Sequence, residues 1–362
     1  MHRACRGALV ALAAFIPARL AGQRVTTVTE VERVLAPLVE TYGVSGSEER
    51  VRAALKHMLP AWAHAEADTA GNLWVRVGKG DPLVVFVAHQ DEIGFRVTEI
   101  GDDGQLRVEP RGGFFPSLFE GEPALVHTAA GDVPGVFPPR DSASARRDPG
   151  AFRVDVGTAN QTATEALGIG PGATVTMPKR YARLAGTRAT GRAMDDRVGC
   201  TALVLALRAL DPARLRHEVV FLWSVREEIG LEGARAAAHA LESRPARVHA
   251  IDTFVSSDAP LEVRTYADAP LGQGPVARAL DNSSVTPPVL LDSLRELARR
   301  ARIPLQYGTT SGGNDGSMFQ SWGVPDVAIG WPMRYSHSPV ETVDLRDVAG
   351  LADLVRTLAE RW

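Results

Sequence analysis

Residues 84–95 read VVFVAHQDEIGF, an apolar run that leads directly into a cluster of polar side chains. The run at 83–88 is apolar at every position, which is typical of a strand buried on both faces of a parallel sheet. His89 and Asp91 follow it, and residues two apart in an extended chain share a face. His89 can therefore bind a metal ion while Asp91 orients its imidazole, or His89 can simply cap the end of the strand.

Predicted strands and helices alternate on both sides of this segment. Thr27 and Glu30 have the spacing of a capping box at the start of the first helix. The alternation favours an α/β fold with a mostly parallel sheet flanked by helices. Apolar periodicity predicts helices at 27–42, 47–60, 196–210, 231–241, 289–301 and 345–362, and strands at 73–77, 83–88, 219–225, 247–251 and 326–329.

The pattern changes between residues 96 and 185. Short alternating runs there are broken by Gly, Pro and Asp, as at 105–108, 124–127 and 174–177. We therefore predict a small β-barrel-like domain at 96–185, inserted into an α/β domain made of residues 24–95 and 186–362.

Composition limits the classes of function. The chain has 362 residues, 45% of them hydrophobic and 23% charged, and a formal net charge of -3. Because acidic and basic residues are interspersed, the bulk charge gives no attraction to nucleic acid or to anionic membranes. Any specificity must come from a defined site, and we expect no nucleic-acid partner.

The N-terminus predicts a signal peptide over residues 1–23. Arg3 and Arg6 precede an apolar run at 8–16, which is followed by the small residues Ala18 and Ala21. The run is shorter than the roughly 20 residues that a membrane-spanning helix needs, so we expect no stable membrane span. This pattern predicts a periplasmic or secreted protein; without export the protein would be cytoplasmic.

Two pairs of adjacent carboxylates stand where elements begin or end. Asp195 and Asp196 open a predicted helix, where they can be metal ligands or caps that favour the helix dipole. Glu227 and Glu228 follow an apolar strand. Since adjacent carboxylates repel each other unless a cation or a shared proton compensates, this second pair indicates a metal ligand plus a general base, with a solvated loop as the alternative.

Asp252 and His337 complete the pattern. Asp252 follows the mainly apolar run at 248–251, and His337 lies in the segment RYSHSP at 334–339. Each alone is usually structural, as a turn former or a satisfied histidine. The ordered set of His, Asp, paired Glu, Asp and His supplies the nitrogen and oxygen ligands that zinc accepts, and two ions can share one carboxylate and a water. With no cysteine among them, these residues suit a catalytic site better than a closed structural one.

Four blocks carry a specific family resemblance. They read AHQDEIGF at 88–95, AMDDRVGC at 193–200, VREEIGLEGA at 225–234 and RYSHSPVE at 334–341. In this order they resemble the glutamyl/tetrahedral aminopeptidase family of di-zinc exopeptidases, and the similarity extends from about Val28 to Trp362. The resemblance implies a metal-dependent aminopeptidase that hydrolyses N-terminal residues from peptides through a metal-bound water and a glutamate general base.

The resemblance also implies a role for each residue of the set. Asp195 would bridge two divalent ions and be followed by a non-proline cis peptide bond. Glu227 would be the general base, and Asp91 would support His89. Zn²⁺ is the expected metal, with Co²⁺ or Mn²⁺ as alternatives. The remaining ligands would be His89 and Asp252 for one ion, and Glu228 and His337 for the other.

Family members assemble as dodecamers built from dimers through the inserted β domain, so a dimer-based homo-oligomer is expected. Two alternatives stay open at this point. One is another metal-dependent amidohydrolase or deacylase on the same scaffold, and the other is a catalytically silent assembly protein. The presence of all five ligands and the base favours the aminopeptidase with peptide substrates.

Overall fold

The computed structural model describes residues 25–140, 152–256, 258–260 and 269–362. The predicted signal peptide at 1–23 lies outside the described residues. Within the described part, no helix has the length and apolar character that crossing a membrane requires.

The helices begin and end close to the predicted boundaries. The Thr27 side chain accepts a hydrogen bond from the Glu30 amide, and the Glu30 carboxylate accepts one from the Thr27 amide, so the predicted capping box is confirmed. The first helix continues past Pro37 to Glu40. The helices are α1 Val28–Glu40, α2 Glu49–Met58, α3 Gln161–Glu165, α4 Met194–Ala209, α5 Glu232–Ala240, α6 Pro288–Ala301, α7 Gly316–Gln320 and α8 Leu345–Arg361.

The strands form three sheets. They are β1 Ala65–Ala67, β2 Leu73–Val77, β3 Val84–His89, β4 Gly94–Ile100, β5 Leu106–Arg111, β6 Pro123–Thr128, β7 Gly131–Val136, β8 Phe152–Val154, β9 Thr174–Thr176, β10 Ala182–Arg183, β11 Arg188–Gly191, β12 Val219–Ser224, β13 Arg247–Val255, β14 Val276–Leu280, β15 Gln306–Thr309, β16 Ile329–Met333 and β17 Glu341–Asp344.

The largest sheet has the strand order β1-β2-β12-β3-β13-β16-β14-β15. Its four middle strands β12, β3, β13 and β16 run parallel to one another. On one side β2 pairs antiparallel with β12 and β1 pairs antiparallel with β2, and on the other side β14 pairs antiparallel with β16 and parallel with β15. The predicted α/β fold is therefore confirmed. The strand predicted at 326–329 was misplaced: Asp326 makes only an isolated bridge to Val248, and the strand itself starts at Ile329, which pairs with Ile251.

Helices cover both faces of this sheet. Along β12, Val219, Phe221 and Trp223 belong to the core that α1, α4, α6 and α8 complete, whereas Val220 and Leu222 face the core beneath α5 and α7. All five side chains are fully buried. Burial on both faces explains why the strand reads as a continuous apolar run and why it ends where polar residues begin.

A second sheet lies entirely within residues 94–176 and has the order β7-β6-β9-β4-β5-β8. Its core is rich in aromatic rings, with Phe95 contacting Phe119, Phe137 and Phe152. An antiparallel bridge joins the last residue of β7 to the residue after β8. The third sheet, β10-β11-β17, is small, and it pairs the strand before α4 with the strand before α8.

Candidate metal centre

Polar side chains collect at the carboxyl ends of the parallel strands. His89 is the last residue of β3 and stands opposite Ser224, the last residue of β12. Glu227 and Glu228 lie three and four residues after the end of β12, and Asp252 lies in the second half of β13. Because parallel strands end at the same edge of a sheet, these side chains meet there.

Asp195 lies at the centre of the cluster. Its Oδ1 is 3.1 Å from His89 Nε2, and its Oδ2 is 3.7 Å from His337 Nε2. The same His337 nitrogen is 3.5 Å from Glu228 Oε2. Asp195 thus has one carboxylate oxygen beside each histidine, as a carboxylate shared by two ions requires.

Two three-residue groups of ligand atoms meet at Asp195. In each, the atoms lie within 4.8 Å of one another. The structure therefore brings together all five residues that the sequence analysis named as ligands. One group consists of His89, Asp195 and Asp252, and the other of Asp195, Glu228 and His337.

Asp91 holds the loop that carries the paired glutamates. Its Oδ1 accepts a hydrogen bond from the Glu227 amide at 3.1 Å, and its Oδ2 accepts one from the Glu228 amide at 3.2 Å. The Ser45 hydroxyl also donates to Oδ2, and His89 Nδ1 lies 3.5 Å from Oδ1. Burial raises the pKa of the Asp91 carboxyl, but the neighbouring His89 ring outweighs this effect, and the pKa lies below its usual value. Asp91 therefore holds the backbone of the glutamate loop, and its Oδ1 lies beside the His89 ring.

The carboxylates of the centre repel one another strongly. Burial raises the pKa of Glu227 well above its usual value, and the charges of Asp252 and Glu228 add to the rise. Burial likewise raises the pKa of Glu228, with Asp195 as the main neighbouring charge. Among the described residues that line the cleft, Arg278 is the single lysine or arginine. Two divalent ions would supply the missing positive charge, so the donor set fits a dinuclear metal site.

The adjacent aspartates at the start of α4 have different partners. Asp195 and Asp196 have non-helical backbone angles, and the peptide bond between them is cis, as the resemblance implied. The Asp196 carboxylate accepts hydrogen bonds from the amides of His89 at 3.0 Å and Gly199 at 2.7 Å. Asp196 therefore acts as the cap considered above, whereas Asp195 faces the centre.

Two further residues touch the ligands, and no pattern in the sequence assigned them a role. Arg278 Nη1 lies 3.4 Å from Asp252 Oδ2, and its other nitrogen pairs with Asp281 at 2.9 Å. Glu341 contacts the backbones of Asp195 and His337. The available signal for Glu341 was its place at the end of the fourth block; Arg278 lies in a strand that was not predicted.

A cleft of about 640 Å³ opens onto the centre. Its volume is in the range of sites that take small ligands or the end of a peptide. Away from the ligands its walls combine apolar residues and glycines with polar side chains. The first group includes Phe115, Leu231, Val255, Gly312 and Gly313, and the second includes Thr253, Ser311, Tyr335 and Ser336.

Comparisons with known proteins agree with this geometry. A family model described as M42 glutamyl aminopeptidase matches residues 71–354. A putative aminopeptidase of Acetivibrio thermocellus is 33% identical over 324 residues, covering 86% of this chain and 93% of the relative. The lysyl aminopeptidase of Pyrococcus furiosus is 31% identical over 343 residues, which cover 90% of this chain and 96% of that relative. The structure of the Pyrococcus horikoshii TET1 peptidase, which can assemble into a tetrahedron or a large octahedral shell, matches with a TM-score of 0.83 and 32% identity over 93% of this chain and 100% of its own.

Proposed function

The chain belongs to the M42 glutamyl aminopeptidase family and is a metal-dependent aminopeptidase, and on this basis we propose the residues that carry out its reaction. The observation that supports the assignment is that Asp195 belongs to two of the three groups of ligand atoms among the described residues. In this proposal Glu227 is the general base. Two divalent ions, with Zn²⁺ as the expected metal, are held by His89, Asp195, Glu228, Asp252 and His337.

The reaction is the hydrolysis of the first peptide bond of a substrate with a free N-terminus. Bound divalent ions would lower the pKa of a water molecule and polarise the substrate carbonyl. Glu227 takes the proton of the attacking water and returns it to the leaving amine. Burial raises the pKa of Glu227, which is the direction that favours a group that accepts a proton. Asp91 keeps Glu227 in place through its amide.

The same proposal includes the domain arrangement and the assembly. Residues 24–95 and 186–362 form the catalytic domain, and 96–185 form a barrel-like domain through which dimers and larger homo-oligomers assemble. The bridge between Val136 and Asp155, which joins the two edge strands of the second sheet, supports the barrel-like shape. The tetrahedral or octahedral shells of the Pyrococcus horikoshii relative support the assembly.

The experiment uses purified protein that has been stripped of metal and reloaded with Zn²⁺ or Co²⁺. Its activity is measured on a panel of unblocked aminoacyl substrates beside their N-acetylated counterparts, with the metal-free protein as the control. We expect release only from free-amine substrates and only with metal. Release confined to the acetylated substrates would instead establish a deacylase. Two bound ions without any release would favour the catalytically silent alternative.

A further inference from the structure

Glu341 is a buried carboxylate at the point where two ligand segments meet. It is the first residue of β17 and is 3% exposed. Its register partner is Gly191, the last residue of β11. The chain after β11 leads to Asp195, and the chain before β17 carries His337. The pairing of these two strands therefore brings the two ligands together, although they lie far apart in the sequence.

The Glu341 carboxylate binds the backbones of both ligands. Its Oε1 accepts a hydrogen bond from the His337 amide at 2.9 Å, and its Oε2 accepts one from the Asp195 amide at 3.3 Å. One rigid carboxylate thus connects the two segments. A buried N–H group that loses its acceptor costs free energy, so both hydrogen bonds restrain the two segments.

His337 needs such a restraint more than the other ligands do. Its side chain is 29% exposed, whereas the side chain of His89 is 3% exposed. Its backbone has a φ of 57°, a left-handed conformation that a residue with a Cβ adopts only when its surroundings hold it. Because packing covers this ring less completely than the His89 ring, the bond from the His337 amide to Glu341 is an important restraint on the backbone that carries the ring.

We propose that Glu341 is a positioning residue that sets the separation of Asp195 and His337 and thereby controls the affinity of one of the two metal ions. The inference rests on the proposed ligand set. In the group of Asp195, Glu228 and His337, Glu341 holds two of the three ligands. In the group of His89, Asp195 and Asp252 it holds only one. Loss of this restraint therefore weakens the ion at His337 more than the ion at His89.

The test is the titration of metal-free Glu341→Gln protein with Zn²⁺ and with Co²⁺. Calorimetry monitors the binding of each metal, and the visible spectrum also reports bound cobalt. The glutamine has nearly the same size, but its amide group cannot accept both N–H donors. We expect one ion to bind within about threefold of the wild-type affinity and the other to bind about 10- to 100-fold more weakly, the usual range for partners of metal ligands. Glu341→Asp, which keeps both acceptor oxygens on a shorter side chain, should bind the weakened ion more tightly than Glu341→Gln does.

Asp347→Asn is the matched control. Asp347 is also buried and also accepts two backbone hydrogen bonds, from Gly272 at 2.6 Å and from Gly274 at 2.7 Å, but neither donor is a proposed ligand. This variant should bind both ions as the wild type does, and the comparison corrects for a general loss of stability.

Unchanged affinity for both ions in Glu341→Gln, or equal weakening of both ions, would overturn the inference while leaving the proposed function in place. A wild-type protein that binds no pair of ions would overturn the ligand set itself.

Discussion

Replacement of Asp91 by Asn should slow the reaction even when both metal sites are full. The two oxygens of Asp91 accept the Glu227 and Glu228 amides at 3.1 and 3.2 Å and also the Ser45 hydroxyl. Asparagine has one acceptor oxygen, so at least one buried backbone N–H loses its partner and faces an NH₂ group. A hydrogen bond to a charged acceptor contributes about 1.5–3 kcal/mol, which corresponds to roughly a 10- to 150-fold change in rate.

The assay compares kcat of wild-type and Asp91→Asn protein on one unblocked peptide, over a series of metal concentrations that reaches saturation. We expect kcat at saturating metal to fall about 10- to 150-fold, because the loop that carries Glu227 is no longer held, together with a weaker affinity for metal. Asp347→Asn, which changes a buried carboxylate away from the ligands, should leave kcat unchanged. The reasoning about Asp91 would be refuted if Asp91→Asn had kcat and metal affinity within twofold of the wild type.

Two further predictions concern stability. Burial, together with the charge of Arg247, lowers the pKa of His249 to about 3. As the pH falls from about 6.5 to 3, the unfolded chain therefore takes up a proton before the folded protein does. Over this window the group lowers the free energy of unfolding by about 1.4 kcal/mol per pH unit. In denaturant unfolding, the free energy of unfolding of His249→Gln protein should fall less steeply with decreasing pH over this window than that of the wild type. Equal slopes for the two proteins would contradict the prediction. Gly199→Ala should lower the melting temperature, because the added methyl group would collide with the Asp196 carboxylate, at a cost of about 1–3 kcal/mol. Gly170→Ala, where no atom lies within 4 Å of the added group, should melt as the wild type does, and equal melting of the two variants would contradict the collision.

Local patterns in the sequence were sufficient to locate the strands β2, β3, β12 and β13 of the large sheet, but not β16. The strand predicted at 73–77 has the same bounds as β2, because the local pattern of apolar residues, which are buried in the fold, was enough to locate it. The strand β16 was misplaced because its start depends on pairing with β13 across the sheet, and because it contains Pro332, which cannot donate a hydrogen bond to a neighbouring strand. It accepts this proline because β14 pairs only with Ile329 and Gly330.

The members of the site could be named from the sequence, but their supporting contacts could not. A His or Asp at the end of an apolar run can be recognised in the sequence itself. Each proposed ligand occupies such a position or lies in one of the four blocks that resemble the family. The contacts of Ser45 with Asp91, of Arg278 with Asp252 and of Glu341 with Asp195 join residues that are distant in the chain. No periodicity or spacing reports such contacts, since only the fold brings the partners together.

The most direct test of the proposed mechanism is the rate of Glu227→Gln protein measured together with its metal content. If Glu227 is the general base and the five other residues hold the metal, this variant should keep two bound ions and lose about 10²- to 10⁴-fold in kcat on an unblocked peptide. A near-normal rate with two ions bound would contradict the role of Glu227 and require another base.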